Sequence, residues 1–197
     1  SPYRNDYALH WVMAISSGVA FFVSIILHEL AHSVVALHQG IKVKNITLFI
    51  FGGVSQIAGE SRKPLEEFVM AFVGPLSSAL LGGAFFGVWL LTGASDTSPV
   101  GIVLQWLFVM NLVLAVFNMA PAFPMDGGRV FRSILWGISG SLIRSTRWAT
   151  LLSRGLGYAM MGLGFITLAR IWEFFDPLNG IWFIIMGMFL ESSARQS

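Results

Sequence analysis

Two histidines and a glutamate form the pattern His-Glu-x-x-His at residues 28–32, and this pattern is typical of metal-dependent hydrolysis. An α-helix repeats every 3.6 residues, so His28 and His32 project from one face and can both reach a single metal ion. Glu29 lies about 100° round the same helix, beside the ion, where its carboxylate can take a proton from water. The residue types and their spacing therefore predict a zinc-type hydrolytic site.

The sequence around this pattern predicts that it lies in a membrane helix. No ionisable residue occurs between Trp11 and Leu27, so the pattern follows a long apolar run. Ionisable groups at membrane depth cost several kcal/mol and are retained mainly where they have a function. The alternative is a chance pattern of structural histidines. It is disfavoured because the chain has only 4 histidines and the pattern uses two of them.

Composition restricts the class of protein and the type of metal site. The 197 residues are 55% hydrophobic and 11% charged, with a mean hydropathy of +0.74, whereas soluble domains carry about 25% charged residues. These values predict a polytopic α-helical membrane protein. With 0 cysteines, any metal must be held by histidine and carboxylate. The net charge of +2 is spread between the spans, which excludes a nucleic-acid patch.

Long apolar stretches predict about five transmembrane helices, with a small β-sheet between the first two. The helices are predicted at residues 7–40, 65–91, 101–117, 147–171 and 178–190, and a short interfacial helix at 130–138. Residues 41–60 mix alternation with β-branched and aromatic residues, which predicts membrane-associated strands with a bend at Gly52-Gly53. An irregular interfacial loop is the alternative for this stretch.

Basic residues between the predicted spans indicate the orientation of the chain. Nine lie on the side that holds residues 40–64, residues 119–147 and the C-terminal end, and two lie on the other side. Cytoplasmic loops carry an excess of lysine and arginine, so the first side is predicted to be cytoplasmic. The metal motif would then lie toward the cytoplasm.

A third metal ligand is predicted by elimination. His10 lies at the opposite end of the first helix, and His38 lies on another face of it. Among the acidic residues, Asp126 combines the same side of the membrane with a rigid frame of prolines and glycines, which predicts that it sits on a bent, preset loop. Zinc in a hydrolytic site takes three protein ligands and leaves a position for water, so His28, His32 and Asp126 suffice.

Two groups of residues allow readings other than direct chemistry. Asn118 could donate a hydrogen bond to a substrate carbonyl or bind a neighbouring helix, and the sequence favours neither. The second helix contains Gly74-Pro75 and then a series of small residues, for which close helix packing is favoured over chemistry. These are Ser77, Ser78, Ala79, Gly82, Gly83 and Gly87.

The His28–His32 motif, together with the segment from Asn118 to Gly128 (Asn-Met-Ala-Pro-Ala-Phe-Pro-Met-Asp-Gly-Gly), resembles the site-2 protease family of intramembrane zinc metalloproteases. Gly52-Gly53-Val54 and Gly74-Pro75 also match its archaeal and bacterial members. The resemblance implies a single intramembrane metalloprotease domain over residues 1–197 with one zinc ion per chain. It implies regulated cleavage within or near transmembrane segments of substrates in the lipid bilayer, with Glu29 as the general base and acid.

The resemblance also implies differences in chain length. The family core has six transmembrane helices, so this chain is expected to lack the first one. The cytoplasmic CBS domains of some relatives are expected to be absent from it too. A substrate helix must unwind before cleavage, and the edge of a strand at Gly53, Val54, Ser55 and Gln56 could bind the extended backbone. A membrane metal-ion transporter and a catalytically silent substrate-binding scaffold are the alternative functions.

Overall fold

The computed structural model describes residues 6–41, 43–49, 52–57, 61–169 and 177–195. The elements in this part of the chain are α1 Tyr7–His38, β1 Val43–Phe49, β2 Gly52–Ile57, α2 Pro64–Thr92, α3 Pro99–Asn118, α4 Asp126–Ser139, α5 Leu142–Leu168 and α6 Pro177–Arg195. They fall into two compact units. One contains residues 1–61 and 72–118, and the other contains residues 62–71 and 119–197.

The ends of α1 follow from capping residues in the sequence. The side chain of Asp6 accepts a hydrogen bond from the Leu9 N–H at 3.0 Å, which satisfies one of the free N–H groups of the first turn. At the other end Gly40 has φ +74°, and the N–H groups of Gly40 and Ile41 bond to the carbonyls of Leu37 and Ala36. This is a Schellman motif. From the sequence, Asn5 or Asp6 is the expected N-cap and Gly40 the expected C′ stop, and the structure confirms Asp6 and Gly40 in these places.

The side chains of α1 are arranged as expected for a protein surrounded by lipid. Its buried residues are small or polar, namely Ser17, Ser24, His28, His32, Ser33 and Ala36. Its exposed side chains include large apolar ones such as Val12, Ile15, Val19 and Phe22. Apolar surface of this extent needs an apolar solvent. By length and hydropathy α1, α2, α3 and α5 can each cross a membrane, so the chain is a multi-pass helical membrane protein.

The predicted count of five spans is not supported. The predicted fifth stretch, residues 178–190, lies in α6, but α6 is not among the four helices that are sufficiently long and apolar. Asn179 near its start and Glu191 and Arg195 near its end lower its mean hydropathy and leave only residues 181–190 as a continuous apolar stretch.

The two strands pair in antiparallel fashion between α1 and α2, and α1 packs against both of them. Gly52 pairs with Phe49 and Gly53 with Leu48. The bend predicted at the two glycines is therefore wrong, because they begin β2 instead. Residues 50 and 51, which join the strands, lie outside the described residues, as do residues 42 and 58–60 of the predicted stretch.

The first turn of α4 corrects the predicted surroundings of Asp126. The sequence predicts a bent loop here with a helix only from residue 130, but α4 begins at Asp126 itself. Gly127 and Gly128 are helical and buried, and a β-carbon on either would clash with the backbone of residues 119–123. The two glycines therefore let the preceding loop pack directly on the helix, rather than bending the chain.

Helices α5 and α6 pack through backbone contacts at glycine. A β-carbon built on Gly164 would lie 2.6 Å from the carbonyl oxygen of Gly180, and one on Gly157 would lie 2.8 Å from that of Gly187. The two contacts are seven residues, or two turns, apart on each helix. Small residues at such positions allow membrane helices to approach closely.

Candidate metal centre

The two histidines of the motif converge on one point beside α1. Both are buried, with 3% and 5% of their surface exposed, and their ring centroids lie 4.9 Å apart at an angle of 76°. The Nε2 atom of His28 is 3.2 Å from the Nε2 atom of His32. Two nitrogens bound to one tetrahedral zinc ion at about 2.0–2.1 Å would be about 3.3 Å apart. The spacing therefore fits a shared zinc ion.

The other ring nitrogen of His28 is held by α2. Nδ1 of His28 lies 2.9 Å from Oγ of Ser78, and Ser78 is fully buried. With the proton on Nδ1, His28 donates to this hydroxyl and its Nε2 keeps a lone pair for a metal. Partners of this kind fix both the tautomer and the ring orientation of metal-binding histidines.

Gly74, one turn before Ser78 on α2, makes room for the two imidazoles. A β-carbon built there would lie 2.7 Å from Nε2 of His28 and would overlap the ring of His32. The nearby atoms include the two Nε2 nitrogens that face each other. Even a methyl group on residue 74 would therefore occupy the space between these nitrogens. Glycine at residue 74 is therefore a steric requirement of the histidine pair.

A loop and a short helix in the second unit carry Asp126. The backbone N–H of Phe123 donates to Oγ of Ser153 on α5 at 2.8 Å, which anchors the loop that leads to Asp126. Asp126 then occupies the first turn of α4, where the helix dipole favours a negative charge. Its position is thus set from both sides by backbone and side-chain contacts.

A buried ion pair connects α4 to the start of α2. Glu67 is 1% exposed, and its Oε1 accepts hydrogen bonds from Nε of Arg132, at 2.8 Å, and from a terminal nitrogen of the same guanidinium. Arg132 also lies over the ring of Phe123, 5.6 Å from its centroid. Removing one partner from a buried pair typically costs about 3–5 kcal/mol because the other charge stays buried. This pair therefore holds α4 and its preceding loop in place.

A second arginine lies close to the carboxylates of this region. Burial lowers the pKa of the Arg129 guanidinium, the nearby charges of Glu67 and Asp126 raise it, and Arg132 lowers it further. Since arginine stays protonated, the result is a partly buried positive charge near two carboxylates. Arg129 thereby offsets part of the negative charge of Asp126.

His28, His32 and Asp126, the three predicted ligands, form a possible metal-binding group in the described part of the chain, and the two histidines are buried. Two imidazoles and one carboxylate form a donor set that zinc prefers at catalytic sites. The group can therefore hold a metal ion.

Known proteins share this chain's sequence over most of its length. A sequence profile of "Peptidase family M50" matches residues 17–97 and 90–162, which include both segments of the metal group. The chain belongs to peptidase family M50. The site-2 protease from Methanocaldococcus jannaschii is a structural match with a TM-score of 0.67 and 32% identity, covering 90% of this chain and 75% of that one. The predicted resemblance to site-2 proteases is confirmed.

Two curated relatives of this M50 chain are candidate zinc metalloproteases. The protein sll0528 of Synechocystis sp. is 36% identical over 95% of this chain and 48% of its own length. Rip3 of Mycobacterium tuberculosis is 34% identical over 95% of this chain and 47% of its own length. The chain thus spans about half the length of these curated relatives.

The remaining predicted site residues lie in three places. Glu29 is half-buried on α1, next to His28. Asn118 is the last residue of α3, and its amide nitrogen donates to the carbonyl of Leu114 in the same helix at 3.0 Å, which favours neither predicted role. Residues 53–56 form the middle of β2 and pair with residues 45–48 of β1.

Sequence reasoning missed the roles of Gly74 and Ser78, and it favoured helix packing for Ser78. That reading fits Gly82, where a β-carbon would lie 3.2 Å from the carbonyl oxygen of Phe108 on α3, but Gly83 has no neighbour within 4 Å. The spacing of Gly74 and Ser78 in the sequence could have indicated that they lie on one face of the helix. Residues 74 and 78 are four apart, as are the two histidines, so each pair forms one stripe on its helix.

Replacement of Ser78 by alanine is expected to weaken zinc binding. The hydroxyl that orients His28 is lost, and the loss of such partners typically costs about 10–100-fold in metal affinity. The measurement is competition of the purified protein against a fluorescent zinc chelator. Ser77→Ala is the matched control, because the Ser77 hydroxyl bonds to the Gly74 carbonyl in its own helix. Equal affinity of the two variants would contradict the assigned role of Ser78.

Gly74→Ala is expected to abolish stoichiometric zinc binding, because its methyl group would occupy the space between the two Nε2 atoms. Metal analysis after size-exclusion chromatography measures the zinc content. Gly83→Ala introduces the same methyl group on the same helix where nothing lies within 4 Å, and it should keep the wild-type content. A fully loaded Gly74→Ala protein would refute the steric argument.

Proposed function

We propose that this chain is the membrane domain of a zinc metalloprotease that hydrolyses peptide bonds within or near transmembrane segments of other membrane proteins. The observation that supports the proposal most directly is the 3.2 Å separation of the two Nε2 atoms, on a helix whose exposed side chains are apolar. A site on such a helix would be accessible to a transmembrane substrate. Membership of peptidase family M50 supports the same reaction class.

His28, His32 and Asp126 would hold the ion in this proposal. Bound zinc would polarise the scissile carbonyl and make water a better nucleophile near neutral pH. Glu29 would accept the proton from the attacking water and return it to the leaving amine, which is general base and then general acid catalysis. Ser78 would keep His28 in the metal-binding tautomer throughout.

The excess of basic residues in the loops on one side supports a cytoplasmic orientation of the site. Lys42, Lys44, Arg62 and Lys63 follow the end of α1 that carries the histidines. A cut near this side would release a cytoplasmic fragment of the substrate, as in regulated intramembrane proteolysis.

Glu29→Gln is expected to lower peptide hydrolysis by about 10²–10⁴-fold, since a proton acceptor is lost while the metal ligands remain. Cleavage of a transmembrane model peptide in detergent and zinc content should be measured on the same preparation. Glu66→Gln, which neutralises a carboxylate that accepts from the Arg62 N–H, is the control and should remain active.

The same pair of measurements separates this proposal from its alternatives. A protease loses cleavage but keeps zinc when Glu29 is replaced, and removal of zinc by a chelator also stops it. A transporter would instead show zinc uptake into proteoliposomes in both variants. A silent scaffold would show no cleavage even in the wild-type protein.

We further propose that the free edge of the two-stranded sheet binds the substrate. In the described part of the chain the sheet contains β1 and β2 alone, so each strand has one edge without a strand partner. An extended segment could pair with the backbone of Gly53, Val54, Ser55 and Gln56, since strand addition satisfies the backbone of an unwound helix. Asn118 is a candidate donor to the substrate carbonyl.

A proline scan across residues 53–56 tests the substrate edge. Proline removes a backbone N–H, so at least one position should lower cleavage about tenfold or more while zinc content stays normal. Proline at Leu91, an exposed residue in the last turn of α2, is a control outside the sheet. Wild-type cleavage at all four positions would rule out strand pairing.

A further inference from the structure

Helices α4 and α5 enclose an apolar groove away from the metal group. Its volume is about 380 Å³, and it is lined by Phe131 and Leu135 from α4 and by Trp148, Leu151 and Leu152 from α5. The two helices pack against each other and are joined by the short turn at Gly140 and Ser141. All of these residues lie in one compact unit.

One end of the groove is basic. Arg144 and Arg147 each precede a groove residue by four positions, Trp148 and Leu151 respectively, and so lie on the same faces of α5 one turn closer to its start. Four residues correspond to about 6 Å along the helix. Both arginines are exposed, and a terminal nitrogen of Arg144 donates to the carbonyl of Ser139 at the end of α4.

Neither helix supplies an acidic side chain at this end of the groove. Helix α5 contains no aspartate or glutamate, and the acid of α4, Asp126, lies in its first turn, at the opposite end from Ser139. The start of α5 adds the positive end of a helix dipole. The charge at this end therefore favours an anionic partner.

Large apolar side chains around the same end are strongly exposed. Ile138 is 80% exposed, Ile143 is 83% exposed and Trp148 is 64% exposed. Exposed apolar residues beside arginines are typical of the boundary between lipid headgroups and acyl chains, where tryptophan is also enriched. The groove then runs from this boundary toward the hydrocarbon region.

We propose that this groove binds an anionic phospholipid. The phosphate group would pair with Arg144 and Arg147, and one acyl chain would lie between Leu135 and Leu151. A free phosphate ion would contact the arginines alone. A zwitterionic lipid would place an acyl chain in the groove, but its headgroup has no net charge to strengthen binding to the arginines. The combination of a basic end and an apolar groove selects a lipid with a net negative headgroup.

Native mass spectrometry of the full chain in detergent tests this proposal. Phosphatidylglycerol and phosphatidylcholine with identical acyl chains are added in equal amounts. The wild-type protein should retain phosphatidylglycerol preferentially, and Arg144→Gln/Arg147→Gln should lower this retention about fivefold or more. Arg62→Gln/Lys63→Gln, which removes two exposed charges before α2, is the matched control and should change it less than twofold.

Two further variants separate the parts of the site. Arg144→Lys/Arg147→Lys keeps the charge and should restore most of the retention, and size-exclusion chromatography of the glutamine variant should show the same elution as the wild type. Leu151→Trp should fill the groove and reduce retention although both arginines remain. Equal retention of the two lipids by the wild type, an equal loss in the control pair, or full retention by Leu151→Trp would each overturn the proposal.

Discussion

The close approach of α2 to the two imidazoles of α1 is the constraint on which the metal group depends. A buried imidazole in an apolar helix needs a defined partner for each ring nitrogen, since an unsatisfied polar group is costly in this environment. Ser78 provides that partner for Nδ1 of His28, and it can do so because Gly74, one turn earlier, has no side chain to separate the helices. The Ser78 hydroxyl thus sets the tautomer of His28. The absence of a side chain at Gly74 leaves room for the two Nε2 atoms at their observed spacing.

The carboxylate of this possible metal group is supported by different means. Asp126 is at the beginning of a short helix, where a change in the preceding loop would move it. That loop is tied by the Phe123 N–H to Ser153 and is packed on the backbone of the two glycines that follow Asp126. The pair between Glu67 and Arg132 adds a charged contact that is shielded from solvent. Rigid support of this kind keeps a ligand within the small tolerance that a metal site allows.

The sequence predicted well what local patterns determine. The ends of α1 follow from Asp6 and Gly40, and the two histidines follow from helical spacing, so both could be located without a structure. Asp126 could be proposed as the third ligand by elimination, but its place in the first turn of α4 could not be predicted, because Gly127 and Gly128 suggested a bend. Their actual role depends on which backbone lies against them. The parts played by Gly74, Ser78 and Glu67 depend on contacts between distant segments, which spacing alone does not reveal.

The glycine contacts between α5 and α6 have a consequence for how a substrate could enter. Where backbones touch directly, at Gly164 with Gly180 and at Gly157 with Gly187, the glycines themselves have no side chain to fill the space if the helices separate. Parting them would replace a continuous backbone contact with lipid along two helical turns. This pair is therefore poorly suited to serve as a lateral gate, and a protease of the proposed kind would have to admit its substrate at other helix boundaries.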